Sequence, residues 1–285
     1  MTAKTLKEQL NSGEIVVAPG IYDMISALIA DRMGFKTLYV TGYGTVASHL
    51  GLPDAGIATY SDMVGRIATM AKMTNTPIVA DADTGYGGLL NVHHTVQGYE
   101  EAGASAIQLE DQEFPKKCGH TPDRRVIPLE DMVQKIKVAC DARRSDDLVI
   151  IARTDSRTAL GLDEALKRAQ AYSDAGADAI FIESPESEQE MEIIGKRIDK
   201  PLIANMVPGG RTPLLSAEKL QSLGFALAIH PAAGFLATAA ALEKSYTDLK
   251  ENGGVTDSSL LYSFSEFNEL IGFPEVWEFE KRYMG

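Results

Sequence analysis

Asp81 and Asp83 stand two residues apart in PIVADADTG (77–85), and a second acidic pair, Glu110 and Asp111, ends AIQLED (106–111). Carboxylates two apart on a strand share one face, about 6–7 Å from each other. Unpaired, two such charges repel by about 2–3 kcal/mol at an effective dielectric near 20. A hard divalent cation cancels that repulsion, and a few carboxylates completed by water is the ligation that Mg2+ prefers. No HxxxH and no Cys/His cluster points to zinc. Paired helix caps or salt-bridged aspartates are the blander alternative.

The stretch EDQEFPKKCGH (110–120) suggests chemistry of another kind. Lys116, Lys117 and His120 surround Cys118, and cations favour a thiolate over a thiol whose reference pKa is about 8.5. Gly119 lets backbone approach a ligand closely. Cys140, in MVQKIKVACDA beside Met132, Ile136 and Ala139, reads instead as inert helix packing. Arg153 ends VIIAR, where an uncompensated guanidinium is costly to bury. It needs a carboxylate, either Glu183 or a bound acid, and its fork suits bidentate pairing. His93 and His94 read as residues opening a helix, in a cap or on the surface. For His230, before Pro231, a pocket wall and a structural bond are equally open. TGYGG (84–88) lacks the lysine and Ser/Thr of a phosphate loop and reads as a flexible connection.

These residues need a frame, and the apolar runs supply one. IVVAPG (15–20), TLYVTG (37–42), PIVADADTG (77–85), AIQLED (106–111), VIIARTD (149–155), AIFIES (179–184), PLIANM (201–206) and ALAIH (226–230) are each short and apolar, as strands buried on both faces are. Helical periodicity separates them, as in LDEALKRAQAYSDAG (162–176), where Leu162, Ala165, Leu166, Ala169 and Tyr172 share a face. Glycine recurs where these helices end, in RMGF (32–35), EAGASA (101–106), DAGADA (174–179) and SLGFA (222–226). Eight helix-separated strands predict an α/β fold, a (β/α)8 barrel over 1–285, with a doubly wound sheet as the alternative. The strand C-termini carry Thr41, Asp81, Asp83, Glu110, Asp111, Arg153, Asp155, Glu183, Asn205 and His230, whereas the N-termini carry Pro77, Ala106, Leu148, Ala179 and Pro201. Barrel enzymes work at the C-terminal rim.

Composition narrows the partners. The 285 residues carry a formal charge of −13, which repels nucleic acid and anionic membrane. Two cysteines are too few for a disulfide framework. The N-terminus lacks an apolar signal core and no run is long enough to span a membrane, so a cytoplasmic protein is expected.

VTGYGTVASHLGLPD (40–54), DADTGYGG (81–88), LEDQEFPKKCGH (109–120), ARTD (152–155) and IANMVPGG (203–210) resemble the isocitrate lyase and phosphoenolpyruvate mutase superfamily, with KKCGH specific to its carbon–carbon lyase branch. The resemblance implies that Asp81 and Asp83 hold Mg2+ (Mn2+ as a substitute), with Asp54 and Glu110 on its waters. Thr41, Gly42 and Tyr43 would cradle the α-keto or α-hydroxy acid, Arg153 would bind its carboxylate, and Glu183 and Asn205 would complete the polar network. Cys118 would be the general acid, helped into position by Gly119 and His120, with Glu110 and Tyr43 beside it in the catalytic set. It further implies a last helix, within 232–249, that packs on a neighbouring subunit, in a homotetramer built as a dimer of dimers.

The substrate expectation follows from departures within the family. Its tricarboxylate lyases carry arginines where this chain has Leu236 and Phe267, and an unpaired carboxylate against Leu and Phe would cost several kcal/mol. The phrases FPKKCGH, ANMVPGG and FSEFNELIG are similar to those of alkylmalate lyases, which implies retro-aldol cleavage of a 2-alkylmalate, foremost 2,3-dimethylmalate to pyruvate and propanoate. 2-Methylisocitrate cleavage and oxaloacetate hydrolysis are the neighbouring alternatives, although Pro231 stands where the hydrolases carry serine. A barrel that binds α-keto acids without turnover is the reading from another class.

Overall fold

Eight short runs of β-branched and aliphatic residues close on themselves as parallel strands in sequence order: β1 (Val16–Ile21), β2 (Leu38–Val40), β3 (Ile78–Asp81), β4 (Ala106–Glu110), β5 (Val149–Thr154), β6 (Ala179–Ile182), β7 (Leu202–Asn205) and β8 (Phe225–His230). The ring is sealed by β1 on β8, with Val16 opposite Leu227 and Pro19 opposite His230. This computed structural model describes residues 4–119, 121 and 123–284. The (β/α)8 barrel is therefore present; seven of the eight predicted runs end within about two residues of the strand, whereas the third, 77–85, runs four residues past the end of β3 at Asp81.

Among the described residues ten helices come before the end of β8: α1 (Leu6–Leu10), α2 (Met24–Arg32), α3 (Gly42–Leu50), α4 (Tyr60–Met73), α5 (Leu89–Glu101), α6 (Leu129–Ala142), α7 (Ser156–Leu160), α8 (Leu162–Asp174), α9 (Glu188–Arg197) and α10 (Ala217–Ser222). On α8 the predicted stripe is the buried one, with Ala165, Leu166, Ala169 and Tyr172 inside. His93 and His94 do not open α5; they lie in its second turn, and the start of the helix is bonded through Asn91 to the Gly88 N–H. His94 is exposed, as the surface reading has it, and its ring lies 4.8 Å from that of Tyr60. Cys140 packs partly buried near Gly176, as expected.

Strand alternation divides the core in two. Val16, Ala18, Tyr39, Val79, Ala106, Val149, Ile151, Ala179, Phe181, Ile203, Leu227 and Ile229 fill the barrel, and Leu6 and Leu10 of α1 pack into the same cluster. The alternate residues, such as Val40, Ala80, Ile107, Ile150, Ile180 and Ala204, pack against the helices. The period of two decides what points inward at the C-terminal rim. Continuing the interior rows puts Thr41 after Tyr39, Asp81 after Val79, Glu110 two beyond Gln108, Arg153 after Ile151, Glu183 after Phe181 and Asn205 after Ile203. His230 follows the helix-facing Ala228, and burial lowers its pKa.

Beyond Ala233 the chain forms a second compact unit, 234–285. It contains α11 (Ala233–Asn252, beginning at the junction), a 3-10 turn (Ser258–Leu260), α12 (Phe264–Leu270) and α13 (Phe273–Tyr283). Among the described residues no helix is long and apolar enough to cross a membrane.

Candidate active site

Strand β3 ends at Asp81, and the chain then turns sharply. Asp83 has φ +49°, and Gly85, Tyr86 and Gly87 are also at positive φ. Simple alternation, assumed from the sequence, therefore does not place Asp83. A left-handed residue bends the backbone so that the Asp83 N–H donates to Asp81 Oδ1 at 3.2 Å, a conformation Asp tolerates better than most residues. Both carboxylates still converge on one point. A Cβ at Gly42 would lie 2.7 Å from Asp81 Oδ2 and 3.6 Å from Asp83 Oδ1. A side chain at Gly42 would push the Asp81 carboxylate aside; Gly42 is the first residue of α3, whose cap Thr41 accepts the Gly44 N–H at 3.5 Å. Tyr43 follows, 42% exposed.

Lys116 corrects the reading of EDQEFPKKCGH. Its side chain is 3% exposed, and its ammonium sits 2.6 Å from Asp54 Oδ1 and 2.7 Å from Asp83 Oδ1. It bridges carboxylates rather than serving the thiol. Lys117 is exposed and donates to the Asp123 carbonyl at 3.5 Å, and His120 lies outside the described residues. Burial disfavours the Lys116 charge, yet Asp83, Asp54 and Glu110 hold its pKa well above the usual lysine value. Burial, with Asp81 and Asp54, pushes Asp83 up to about 6 against the pull of Lys116.

Arg153 lies across the barrel mouth. Its expected partner was Glu183 or a bound acid. The structure adds a third and nearer one, Asp155, which takes Nε at 2.9 Å and Nη2 at 3.0 Å. Glu110 and Glu183 stand at 3.4 Å, and the guanidinium lies 5.1 Å over the Phe181 ring. Asp155 is buried, but Arg153 and Arg124 hold its pKa below the usual range. Two residues from Arg153 in ARTD, it was legible as a same-face neighbour; Arg124, in DRRV, carried no such signal. Asn205 Nδ2 donates to Glu183 Oε2 at 3.0 Å, and Ser184, at φ +60°, donates to Glu183 Oε1 at 3.1 Å and to the Gly119 carbonyl at 3.2 Å.

The Cys118 segment enters this network through Gly119. A Cβ there would sit 2.5 Å from Arg153 Nη2 and 2.9 Å from Glu183 Oε2, so any side chain at 119 would have to displace Arg153 or Glu183. The preceding residues are tied down by Gln112, which donates to the Lys117 carbonyl at 2.8 Å and accepts its N–H at 2.9 Å. Cys118 itself is half-buried and outside any disulfide.

The rim buries Asp54, Asp81, Asp83, Glu110, Asp155 and Glu183 against Lys116, Arg124 and Arg153, an excess of negative charge in low dielectric. Glu110 Oε1 is buried without a hydrogen-bond partner, and burial holds the Glu110 pKa well above the carboxylate range. An all-oxygen, electron-rich centre with an unmet acceptor fits a hard cation. Among the described residues no group of three or more His, Cys, Asp or Glu is arranged to hold a metal ion; a Mg2+ held here would rest on one or two carboxylates and several waters.

Comparison with known proteins places the chain. A family model described as phosphoenolpyruvate phosphomutase matches residues 6–250. 2,3-Dimethylmalate lyase of Eubacterium barkeri is 47% identical over 285 residues, 99% of this chain and 98% of that protein. The chain belongs to the phosphoenolpyruvate mutase/isocitrate lyase superfamily. Within the superfamily it is also similar to 2-methylisocitrate lyase of Aeropyrum pernix, 41% identical over 97% of this chain and 88% of that protein. Both of these relatives are lyases by name. Among solved structures, oxaloacetate acetylhydrolase in complex with the inhibitor 3,3-difluorooxalacetate superposes with a TM-score of 0.94 at 34% identity, over 99% of this chain and 97% of that one.

Proposed function

We propose that this superfamily member cleaves the C2–C3 bond of a 2-alkylmalate, foremost 2,3-dimethylmalate, to pyruvate and propanoate. The observation that carries the reading is the thiol-bearing segment laid by Gly119 directly against Arg153 and Glu183, beside the acidic centre. A proton donor, a carboxylate-binding cation and a divalent-metal site thus meet at one barrel mouth.

Asp81 and Asp83 would hold Mg2+ (or Mn2+), with Asp54 and Glu110 on its waters; the ion supplies positive charge to the oxygens of the substrate acid. Arg153 receives the substrate carboxylate, and its Nη1 is the guanidinium nitrogen that Asp155, Glu110 and Glu183 leave uncommitted. Thr41, Gly42 and Tyr43 line the approach, and Asn205 holds Glu183 in place. Glu110, as the carboxylate, takes the C2 hydroxyl proton. The O–H electron pair becomes the keto π bond, and the C2–C3 pair leaves with C3 as the enediolate of propanoate. Cys118 gives its proton to C3, and water returns the proton from Glu110 to the thiolate. The preference for an alkyl group is inferred from the sequence alone, in which Leu236 and Phe267 stand where the tricarboxylate lyases of the resemblance carry arginines.

The test couples pyruvate release to lactate dehydrogenase with Mg2+ present, offering 2,3-dimethylmalate and methylisocitrate in parallel while oxaloacetate loss is followed by absorbance. Turnover of dimethylmalate at least tenfold above the others is the expected result. Preference for methylisocitrate or oxaloacetate would overturn the substrate assignment, and oxalate binding without turnover of any of them would leave a binding protein.

The working form is proposed to be a homotetramer, a dimer of dimers. The C-terminal unit leaves Tyr262, Phe264, Trp277, Phe279 and Tyr283 between 47% and 81% exposed and buries almost nothing of its own. That is apolar surface a second copy of the chain would cover. Sedimentation velocity should show a tetramer, and a monomer at micromolar concentration would refute it.

A further inference from the structure

Arg124 lies six residues beyond Cys118 and is 4% exposed. Its Nη1 pairs with Asp155 Oδ1, and its Nη2 donates to Thr158 Oγ1 of α7 at 2.7 Å. Asp155 at the same time takes two bonds from Arg153. One carboxylate therefore joins the segment that carries the thiol to the arginine that receives the substrate. That carboxylate belongs to a fixed stretch of backbone. The Asp155 N–H donates to Asp111 Oδ1 at 2.9 Å, while Asp111 Oδ2 accepts Tyr172 at 2.7 Å, Thr154 at 2.7 Å and Arg168 at 3.0 Å. Upstream of the thiol, Lys116 is anchored to Asp54 and Asp83. Cys118 is thus held between two buried cations, one docked on the acidic centre and the other on the partner of Arg153.

We propose that Arg124 is a positioning residue. Through Asp155 it registers the Cys118 segment against Arg153, so that the thiol proton and the carboxylate anchor stand at one fixed separation when the acid is bound. The inference rests on the functional reading above. It is a claim about coupling: a purely structural Arg124 would alter stability without changing how a bound acid shields Cys118.

The test measures alkylation of Cys118 by iodoacetamide, peptide by peptide, with and without oxalate and Mg2+, alongside kcat and KM. Cys140, half-buried against Gly176, reports on the fold in the same samples. Oxalate should protect Cys118 in the wild type. In R124Q that protection should fall at least about tenfold and kcat by about 10–100-fold, the usual cost of losing an outer hydrogen-bonding partner, with KM changing less and Cys140 labelling unchanged. R124K, which keeps the charge but not the fork, should fall between. R124Q with wild-type protection and kcat overturns the tether and leaves the functional reading standing. A wild type that oxalate does not protect overturns that reading and the tether with it. If Cys140 of R124Q becomes reactive, R124K decides: protection reduced at least threefold supports the tether, and full protection overturns it.

Discussion

C118S should lose bond cleavage by at least about 10²–10⁴-fold in kcat, the range a positioned general acid contributes, while binding oxalate within about twofold of the wild type. Serine replaces sulfur with a smaller, much less acidic hydroxyl on an unchanged backbone. It therefore disturbs neither the contact of Gly119 with Arg153 and Glu183 nor the carboxylate anchor. The loss falls on proton delivery to C3 alone, and so on kcat rather than on affinity. C140S, which removes the packed thiol of α6, should retain activity. Steady-state kinetics with calorimetric oxalate titration decides the matter. A C118S enzyme within tenfold of wild-type kcat would remove Cys118 from the proton transfer and leave Tyr43 or water as the donor.

K116M should destabilise the chelator-treated protein by about 3–5 kcal/mol at pH 8, the cost of stranding buried carboxylates when their partner is removed. Asp54 and Asp83 are 8% exposed each and share this one ammonium. The sign of the pH dependence follows from Asp83. Its folded pKa, about 6, lies above the ordinary carboxylate value of 3.8, so folding binds protons between the two. The cost of its buried charge is absent below about pH 3.8 and complete above about pH 6. The K116M penalty should therefore shrink on acidification from pH 8 to 5. Mg2+ should recover part of it at neutral pH by mass action on the folded state. Urea midpoints at the two pH values, with and without Mg2+, measure all three terms. A penalty that does not vary with pH would show that Lys116 contributes packing rather than charge.

Much of the frame was legible because it depends on local patterns. Short apolar runs ended by Gly, Pro or a polar residue read as strands buried on both faces, and eight of them separated by helical periods favour a barrel over an open sheet. The one-sided placement of Thr41, Asp81, Glu110, Arg153, Glu183 and Asn205 follows from the same period of two. Where a residue leaves regular structure the pattern stops informing. Alternation makes Asp83 a strand residue, yet β3 ends at Asp81 and a left-handed turn aims the second carboxylate.

By itself the sequence determined eight helix-separated strands, the rim that carries the chemistry, and the need of Arg153 for a carboxylate, because each depends on residues adjacent or two apart; closure into a ring rather than a doubly wound sheet was decided by the pairing of β1 with β8. Only the tertiary structure decided that Lys116 answers Asp54 and Asp83 rather than Cys118, and that Arg124 and Arg153 share Asp155. Lys116 and Lys117 are chemically alike, as are Arg124 and Arg125, and in each pair one is buried and the other exposed. What separates them is the buried charge each meets from a distant strand end, and that energy exists only once the barrel has closed.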